Sequence, residues 1–233
     1  MSSVEHGLRA DRHPRRGRGF LFRFGGSGEL VAQTQLGEGD VFHPGGMAFD
    51  GEWLWVPVAE YRPKSSSIIY RIDPRSLRAA EAGRVADHIG GVVRDPKRNR
   101  LYGLDWGSEA VYEWQLDSNL RLIDSAIPPR PIDRPEHIRS IEYQDCHHVA
   151  GSHFLCGGVS ADPVRWGGLD LVHVDTSTAV HQVTVPMRTP EQGRHMTHNP
   201  VFIESKEDGL RFYFAPDDDE TTVYIYDVHN TGA

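Results

Sequence analysis

One internal echo constrains this chain more than any other feature. His-Pro-Gly-Gly at 43–46 is answered by His-Ile-Gly-Gly at 88–91, and each opens the same succession of short apolar runs and turn signals. A unit that recurs at about 40 to 55 residues is one supersecondary module, which buries its apolar face only against neighbouring copies. In the copy that starts at His43 four strands are predicted, at Gly46 to Phe49, Trp53 to Val58, Ile68 to Ile72 and Leu77 to Val85. Each alternates or is wholly apolar, and pairs such as Asp50-Gly51 and Asp73-Pro74 supply the turns between them. Four antiparallel strands of this kind make one propeller blade.

The copy that starts at His88 repeats the order, with Asp95-Pro96 at its first turn. A third copy, from Tyr143, keeps the order without His-x-Gly-Gly, and a fourth, from His198, supplies three strands before the sequence ends. The first forty residues align with the later part of a blade: Glu5 falls opposite Glu60, Phe20 to Phe24 on the third strand and Leu30 to Leu36 on the fourth, with Gly25-Gly26-Ser27-Gly28 as the hairpin turn. The expectation is an all-β single domain over 1–233, a β-propeller of about five four-stranded blades at 1–40, 41–86, 87–130, 137–187 and 195–229, the first incomplete. An inner strand is wanting in the first blade and an outer strand in the last. Two explanations stand: a segment lost upstream of Met1, or a leader from Met1 to Gly19 ahead of a four-bladed ring closed by Phe20 to Leu36.

Composition agrees, because 24 Gly and 15 Pro among 233 residues interrupt helical periodicity and suit many short strands. A formal net charge of -8 argues against non-specific nucleic-acid binding, which needs a basic surface. Arg9, Arg12, Arg15, Arg16 and Arg18 do cluster, but Pro14, Gly17 and Gly19 interleave them, as in a solvated loop. The two cysteines, Cys146 and Cys156, are too few for a disulfide scaffold and are expected as buried thiols, with oxidation open if their strands are adjacent. No apolar run nears the roughly 18 residues of a membrane span, and no signal-peptide hydrophobic region occurs in the first twenty. A cytoplasmic location is the default, and secretion stays open if the start is truncated.

The stretches HPGGMAFDGEWLWVPVAEYRP, DHIGGVVRD and GLRFYFAPDDDETTVYIYD resemble an uncharacterised bacterial and fungal β-propeller family, a domain of unknown function. The resemblance runs over nearly the whole chain from Ser2 and implies a further N-terminal stretch with a His-rich inner strand. It implies no activity. The wider gluconolactonase and strictosidine-synthase-like propellers share the architecture, but their acidic and Asn metal ligands have no residue-by-residue counterpart here.

In a propeller the entry ends of the inner strands and the adjoining loops form the usual binding face. Blade starts place His43, His88, Tyr143 with Gln144 and Asp145, and His198 with Asn199 there. Imidazoles from separate strands suit a divalent metal with an open position, so His43, His88 and His198 are candidate metal ligands, and His43, His88, Asp145 and Glu60 candidate catalytic groups. The competing reading makes these histidines hydrogen-bonding devices between blades. A second ring follows the second strands: Glu5, Glu60 with Arg62, Asp105 with Trp106, Asp162 with Arg165 and Trp166, and Asp217 to Asp219. Arg62, Asp105, Trp106, Trp166, Asp217 and Asp218 are candidate ligand-binding residues, a negatively lined mouth with aromatic stacking surfaces. The same acids also suit plain turn capping. His147 and His148 alternate along a strand and cannot both enter one site. Two functions follow: a metal-assisted, hydrolase or lactonase-like enzyme for a small polar substrate, or a non-catalytic propeller that binds a small ligand or a protein.

Overall fold

Strands form where apolar residues alternate or run together between turn signals, and the computed structural model shows them throughout residues 1–5, 17–123, 128–218 and 221–230, the described part, with backbone alone at 2–5. Arg9, Arg12, Arg15, Arg16 and Asp219, and the side chain of Glu5, lie outside the described residues. Among the described residues there is no helix, and nineteen strands form five antiparallel sheets, the blades of a β-propeller. Among the described residues no helix is long and apolar enough to cross a membrane.

The chain divides into two compact units, Met1–Arg130 and Pro131–Ala233. In the first unit, β1 (Ser2–Glu5), β2 (Arg18–Phe24) and β3 (Leu30–Leu36) pair in sequence order. In the second sheet, β4 (Val41–Pro44) and β5 (Ala48–Phe49) both pair with β6 (Leu54–Glu60), followed by β7 (Ser67–Ile72) and β8 (Ala79–Val85). The third sheet runs β9 (Gly91–Asp95), β10 (Arg100–Leu104), β11 (Ala110–Gln115) and β12 (Arg130–Pro131). In the second unit, β13 (Ile141–Ala150), β14 (His153–Ser160), β15 (Gly167–His173) and β16 (Thr178–Val185) form a complete meander. The last sheet is β17 (Val201–Lys206), β18 (Gly209–Phe214) and β19 (Tyr224–His229).

Three predicted details change. The inner strand expected at Gly46 to Phe49 is split into β4 and β5, so His43 lies inside a strand, opposite Ala59, rather than ahead of one. The break comes from the glycines: Gly46 N–H donates to the Gly90 carbonyl at 2.9 Å, and Val92 N–H donates to the Gly46 carbonyl at 3.1 Å. Gly46 thereby forms a parallel bridge with Gly91, and a Cβ on Gly45 would stand 2.1 Å from the Gly90 oxygen. The repeated Gly-Gly is therefore a contact between blades, and at Gly45 no side chain fits. In the fourth blade β13 begins at Ile141, which puts Tyr143 and Asp145 within the strand and Asp145 in the core, at 3% exposure. Lastly, Cys146 and Cys156 are a disulfide rather than the expected thiols. They face each other directly across β13 and β14 with Cα atoms 4.0 Å apart, a pairing that a short hairpin creates and apolar surroundings do not reveal.

The core lies between blades. Trp55, Ile69, Ile89, Val92, Leu101 and Trp114 pack the second sheet to the third, and Leu21, Leu36, Val56, Val58 and Ile72 pack the first to the second. In the second unit Val185, Met196, Val201, Ile203, Phe212 and Phe214 form a further cluster. Each such side chain contributes about 1.5–3 kcal/mol of transfer free energy. A polar tie also joins the second and third sheets: the buried carboxylate of Asp50 accepts the Trp55 indole N–H at 2.8 Å and stands 3.6 Å from the guanidinium of buried Arg94.

Candidate functional site

His88 sits just ahead of β9, where three hydrogen bonds fix the local backbone. Its N–H donates to the Asp87 carboxylate, and Ser67 Oγ accepts the Ile89 N–H while donating to the Asp87 carbonyl, each at 2.8 Å. The ring then reaches the preceding blade: Nδ1 lies 2.8 Å from the carbonyl of Glu60, the last residue of β6. Burial lowers the imidazole pKa against the opposing pull of the Glu60 carbonyl and Asp87, which keeps the ring neutral with Nδ1–H as donor. This is the blade-tying role that competes with metal ligation.

Three more rings gather around it. The His43 ring, from β4, is centred 6.3 Å from that of His88 and 4.7 Å from that of Tyr61. Trp106, in the turn after β10, meets His88 edge-on at 4.6 Å and Tyr61 at 5.5 Å, with interplanar angles of 76° and 63°. Tyr61 is 46% and Trp106 39% exposed, so the two outer rings form an open corner over two histidines. The acids nearby are engaged. Glu60 pairs with Arg62 at 2.7 Å and accepts Ser66 Oγ–H at 2.7 Å. Asp105 accepts the N–H groups of Glu109 and Ala110 at 2.7 and 2.8 Å, and burial raises its pKa in spite of them. Asp87 accepts the Tyr112 hydroxyl at 2.7 Å.

The second unit repeats the junction with different chemistry. His195 Nε2 lies 3.0 Å from the carbonyl of Arg165, in the loop after β14, while its Nδ1 is buried with no hydrogen-bond partner among the described residues. Thr197 Oγ donates to the Gly158 carbonyl at 2.6 Å, and Gly167 leaves the room that Thr197 and His195 need. Around this ring stand Arg165, Arg188 and Arg194 instead of aromatics. Arg194 donates to His198 Nε2 at 2.7 Å and pairs with Asp218 at 3.0 Å, while Asn199 reaches Asp218 at 3.3 Å and Thr189 reaches Asp217 at 3.2 Å.

The structure thus brings His43, His88, Glu60, Arg62 and Trp106 together, with Asp105 heading the turn that carries Trp106. Asp145, Trp166, Asp217, Asp218 and His198 belong to the second unit. Asp145 accepts the Cys146 N–H at 2.8 Å and stands 3.6 Å from His147, whose ring also bonds the Val201 carbonyl; both are core groups. His148 faces the other way and bonds the Gly151 carbonyl. Trp166 donates to Asp162 at 3.3 Å and carries the Arg139 guanidinium 5.7 Å above its ring, so its face is already covered. Among the described residues no group of three or more His, Cys, Asp or Glu is arranged to hold a metal ion. Sequence reading passed over Tyr61, although it stands between two selected residues, and His195, which has no Gly-Gly after it.

No curated protein matches the sequence. Among solved structures, a luciferin-regenerating enzyme shares 13% identity at a TM-score of 0.55, with 98% of this chain and 78% of that one covered. At that identity the likeness shows the fold alone. The hydrazine synthase of Kuenenia stuttgartiensis is similar at 11% identity and a TM-score of 0.46, and the aligned part spans 92% of this chain and 57% of that one. A DUF4623 family protein from Bacteroides eggerthii, at 8% identity and a TM-score of 0.48, is covered over 53% of its length by 93% of this chain. A protein-family model matches residues 2–231, and the chain belongs to that family, DUF6454, a family of unknown function.

Proposed function

We propose that this chain is a ligand-binding propeller whose first unit seats a small polar molecule with a flat or hydroxylated ring against Tyr61 and Trp106. The observation that carries the reading is the open corner: two large aromatic rings, 46% and 39% exposed, held at 63° to each other over His43 and His88. Exposed aromatics fixed by neighbouring rings offer stacking area with little conformational entropy to lose. Glu60 and Arg62 on the same loop supply polar edges for orientation. The test is a titration of the intrinsic tryptophan fluorescence with a panel of sugars, lactones and aromatic acids. Binding is expected to weaken at least tenfold in Trp106→Ala and Tyr61→Ala; binding unchanged in both variants overturns the reading.

Metal-assisted hydrolysis is the second reading, favoured by the approach of His43 to His88, two of the three histidines, with His198, considered as ligands of a divalent metal. The fold does not decide between binding and catalysis. Metal analysis of the purified protein, together with lactonase and esterase assays of His43→Ala, separates them: turnover lost in that variant would install the enzyme in place of the binding module. The Cys146–Cys156 bond supports work in an oxidising compartment rather than the cytoplasmic default, because reducing compartments keep such pairs as thiols.

A further inference from the structure

The segment that precedes β17 is a pinned hairpin. Arg188 and His195 bridge across it, Thr189 N–H donates to the Arg194 carbonyl at 2.8 Å, and Gly193 N–H donates to the Thr189 carbonyl at 3.0 Å, with Gly193 in the left-handed region at φ 65°. The Thr189 hydroxyl, 3% exposed as a residue, ties the turn to Asp217. This hairpin presents Arg188 beside the loop that carries Arg165. The Arg188 guanidinium donates to the Gly193 carbonyl at 3.1 Å, and its other nitrogen is 3.5 Å from the Arg165 carbonyl, the same oxygen that His195 holds. Arg194 follows on the same hairpin and has Asp218 as its carboxylate partner.

Arg165 and Arg188 have no such carboxylate partner among the described residues, and both side chains are exposed. Two exposed guanidiniums on adjoining loops, without a carboxylate partner among the described residues of a chain of net charge -8, are not explained by a general basic surface. His198 adds a donor: its Nε2 accepts from Arg194, so in the neutral ring Nδ1 carries the proton. Guanidiniums present planar pairs of N–H donors that match the oxygens of a carboxylate or a phosphate. We propose that Arg165 and Arg188, with Arg194 alongside, form a binding site for a small oxyanion, the carboxylate or phosphate group of a metabolite-sized ligand. The charges of Arg165 and Arg188 both depress the His195 pKa, and those of Arg194 and Arg165 that of His198, in each case after burial as the largest cause, which agrees with positive potential converging there. All the residues of this site belong to the second unit.

The experiment titrates the 15N-labelled full chain with inorganic phosphate and, separately, with malonate, at ionic strength held constant with sodium chloride, and follows the Trp166 indole N–H next to Arg165. Saturable shifts with one or both anions are expected, and the anion that saturates identifies the group recognised. Affinity is expected to fall at least tenfold in Arg165→Gln and in Arg188→Gln and to be unchanged in Arg139→Gln, whose guanidinium already pairs with Asp162 at 2.8 Å. If Arg188→Gln unfolds because its bonds hold the hairpin, Arg165→Gln decides, since its side chain makes no hydrogen bond among the described residues. Linear, unsaturable shifts with both anions, or equal affinity in wild type and Arg165→Gln, overturn the proposal.

Discussion

The junction at His88 and the junction at His195 make the same bond and present different surfaces. In each, an imidazole ahead of an inner strand reaches the backbone carbonyl of a residue at or beyond the end of the second strand of the preceding blade, at 2.8 Å to Glu60 and 3.0 Å to Arg165. The bond serves the repeat: it satisfies a carbonyl where the strand gives way to loop. What surrounds the bond differs. The first junction is ringed by His43, Tyr61 and Trp106, and the second by Arg165, Arg188 and Arg194. A blade-start histidine in this fold is thus an architectural element, and the loop beside it carries the specificity, as loops on rigid scaffolds do.

The two units are also cemented differently, and the largest effects should come from there. In the first unit Asp50 and Arg94 form a buried pair, 8% and 6% exposed, between the second and third sheets. Asp50→Ala leaves a buried guanidinium without its partner and removes the acceptors of the Trp53 and Trp55 N–H groups. Destabilisation of about 3–5 kcal/mol is expected from chemical denaturation, as for other broken buried pairs. A loss below about 1 kcal/mol would show that Arg94 is held well enough by the carbonyls of Asp95 and Arg100.

The second unit has a covalent tie, placed within one blade between the adjacent strands β13 and β14. Cys146 and Cys156 are separated by 10 positions, and opening a loop of that size gives the unfolded chain back entropy worth about 3 kcal/mol. Reduction, or the double change Cys146→Ser and Cys156→Ser, is expected to lower stability by that amount while leaving the fluorescence response of the Trp106 corner intact. Loss of the corner's ligand response on reduction would erase the distinction between the units.

The two units also differ in what their glycines leave room for. A Cβ at Gly45 would meet the backbone oxygen of Gly90 at 2.1 Å, whereas one at Gly167 first meets the Thr197 hydroxyl at 2.6 Å. Backbone cannot rotate away and a hydroxyl can. Gly45→Ala is expected to cost about 1–3 kcal/mol through overpacking, and Gly167→Ala less, both read from denaturation midpoints. The reverse order would mean that the Thr197 bond to Gly158, not the Gly-Gly contact, holds its blades the more tightly.

Much of this was legible in the sequence because the blade repeat writes itself in short range. Asp50-Gly51 and Asp73-Pro74 mark their turns whatever lies across from them, and the matching His-x-Gly-Gly copies found two adjoining blade starts. The disulfide was not legible, since Cys146 and Cys156 become partners only through the β13–β14 register. Nor was the role of Asp145, read as a blade-start acid but buried inside a strand that begins two residues before Tyr143. Tyr61 was overlooked because aromatic residues in loops are unremarkable until Trp106, far along the chain, is seen beside it. The mouth read as acidic from Asp162 and Asp217 to Asp219 holds, in the second unit, three arginines drawn from two loops. Sequence order does not show which side chains those loops bring together.

Histidine titration gives the finest division. His88 and His195 have pKa values lowered chiefly by burial, so each contributes stability that is complete above the ordinary histidine pKa of about 6.5 and is lost as pH falls through the lowered folded value. His147 has the opposite sign. Burial disfavours its charge, but the Asp145 carboxylate, with the Val201 carbonyl, outweighs burial and raises its pKa. Its contribution is complete below about 6.5 and is lost as pH rises through the raised value. Stability measured across this range in His88→Asn should lose part of its acid sensitivity. In Asp145→Asn the decline on the alkaline side should disappear, because His147 then has no carboxylate to favour its proton. If Asp145→Asn leaves the alkaline limb unchanged, the buried imidazole is neutral at all pH values tested, and His147 joins His88 and His195 as a third neutral tie between neighbouring blades.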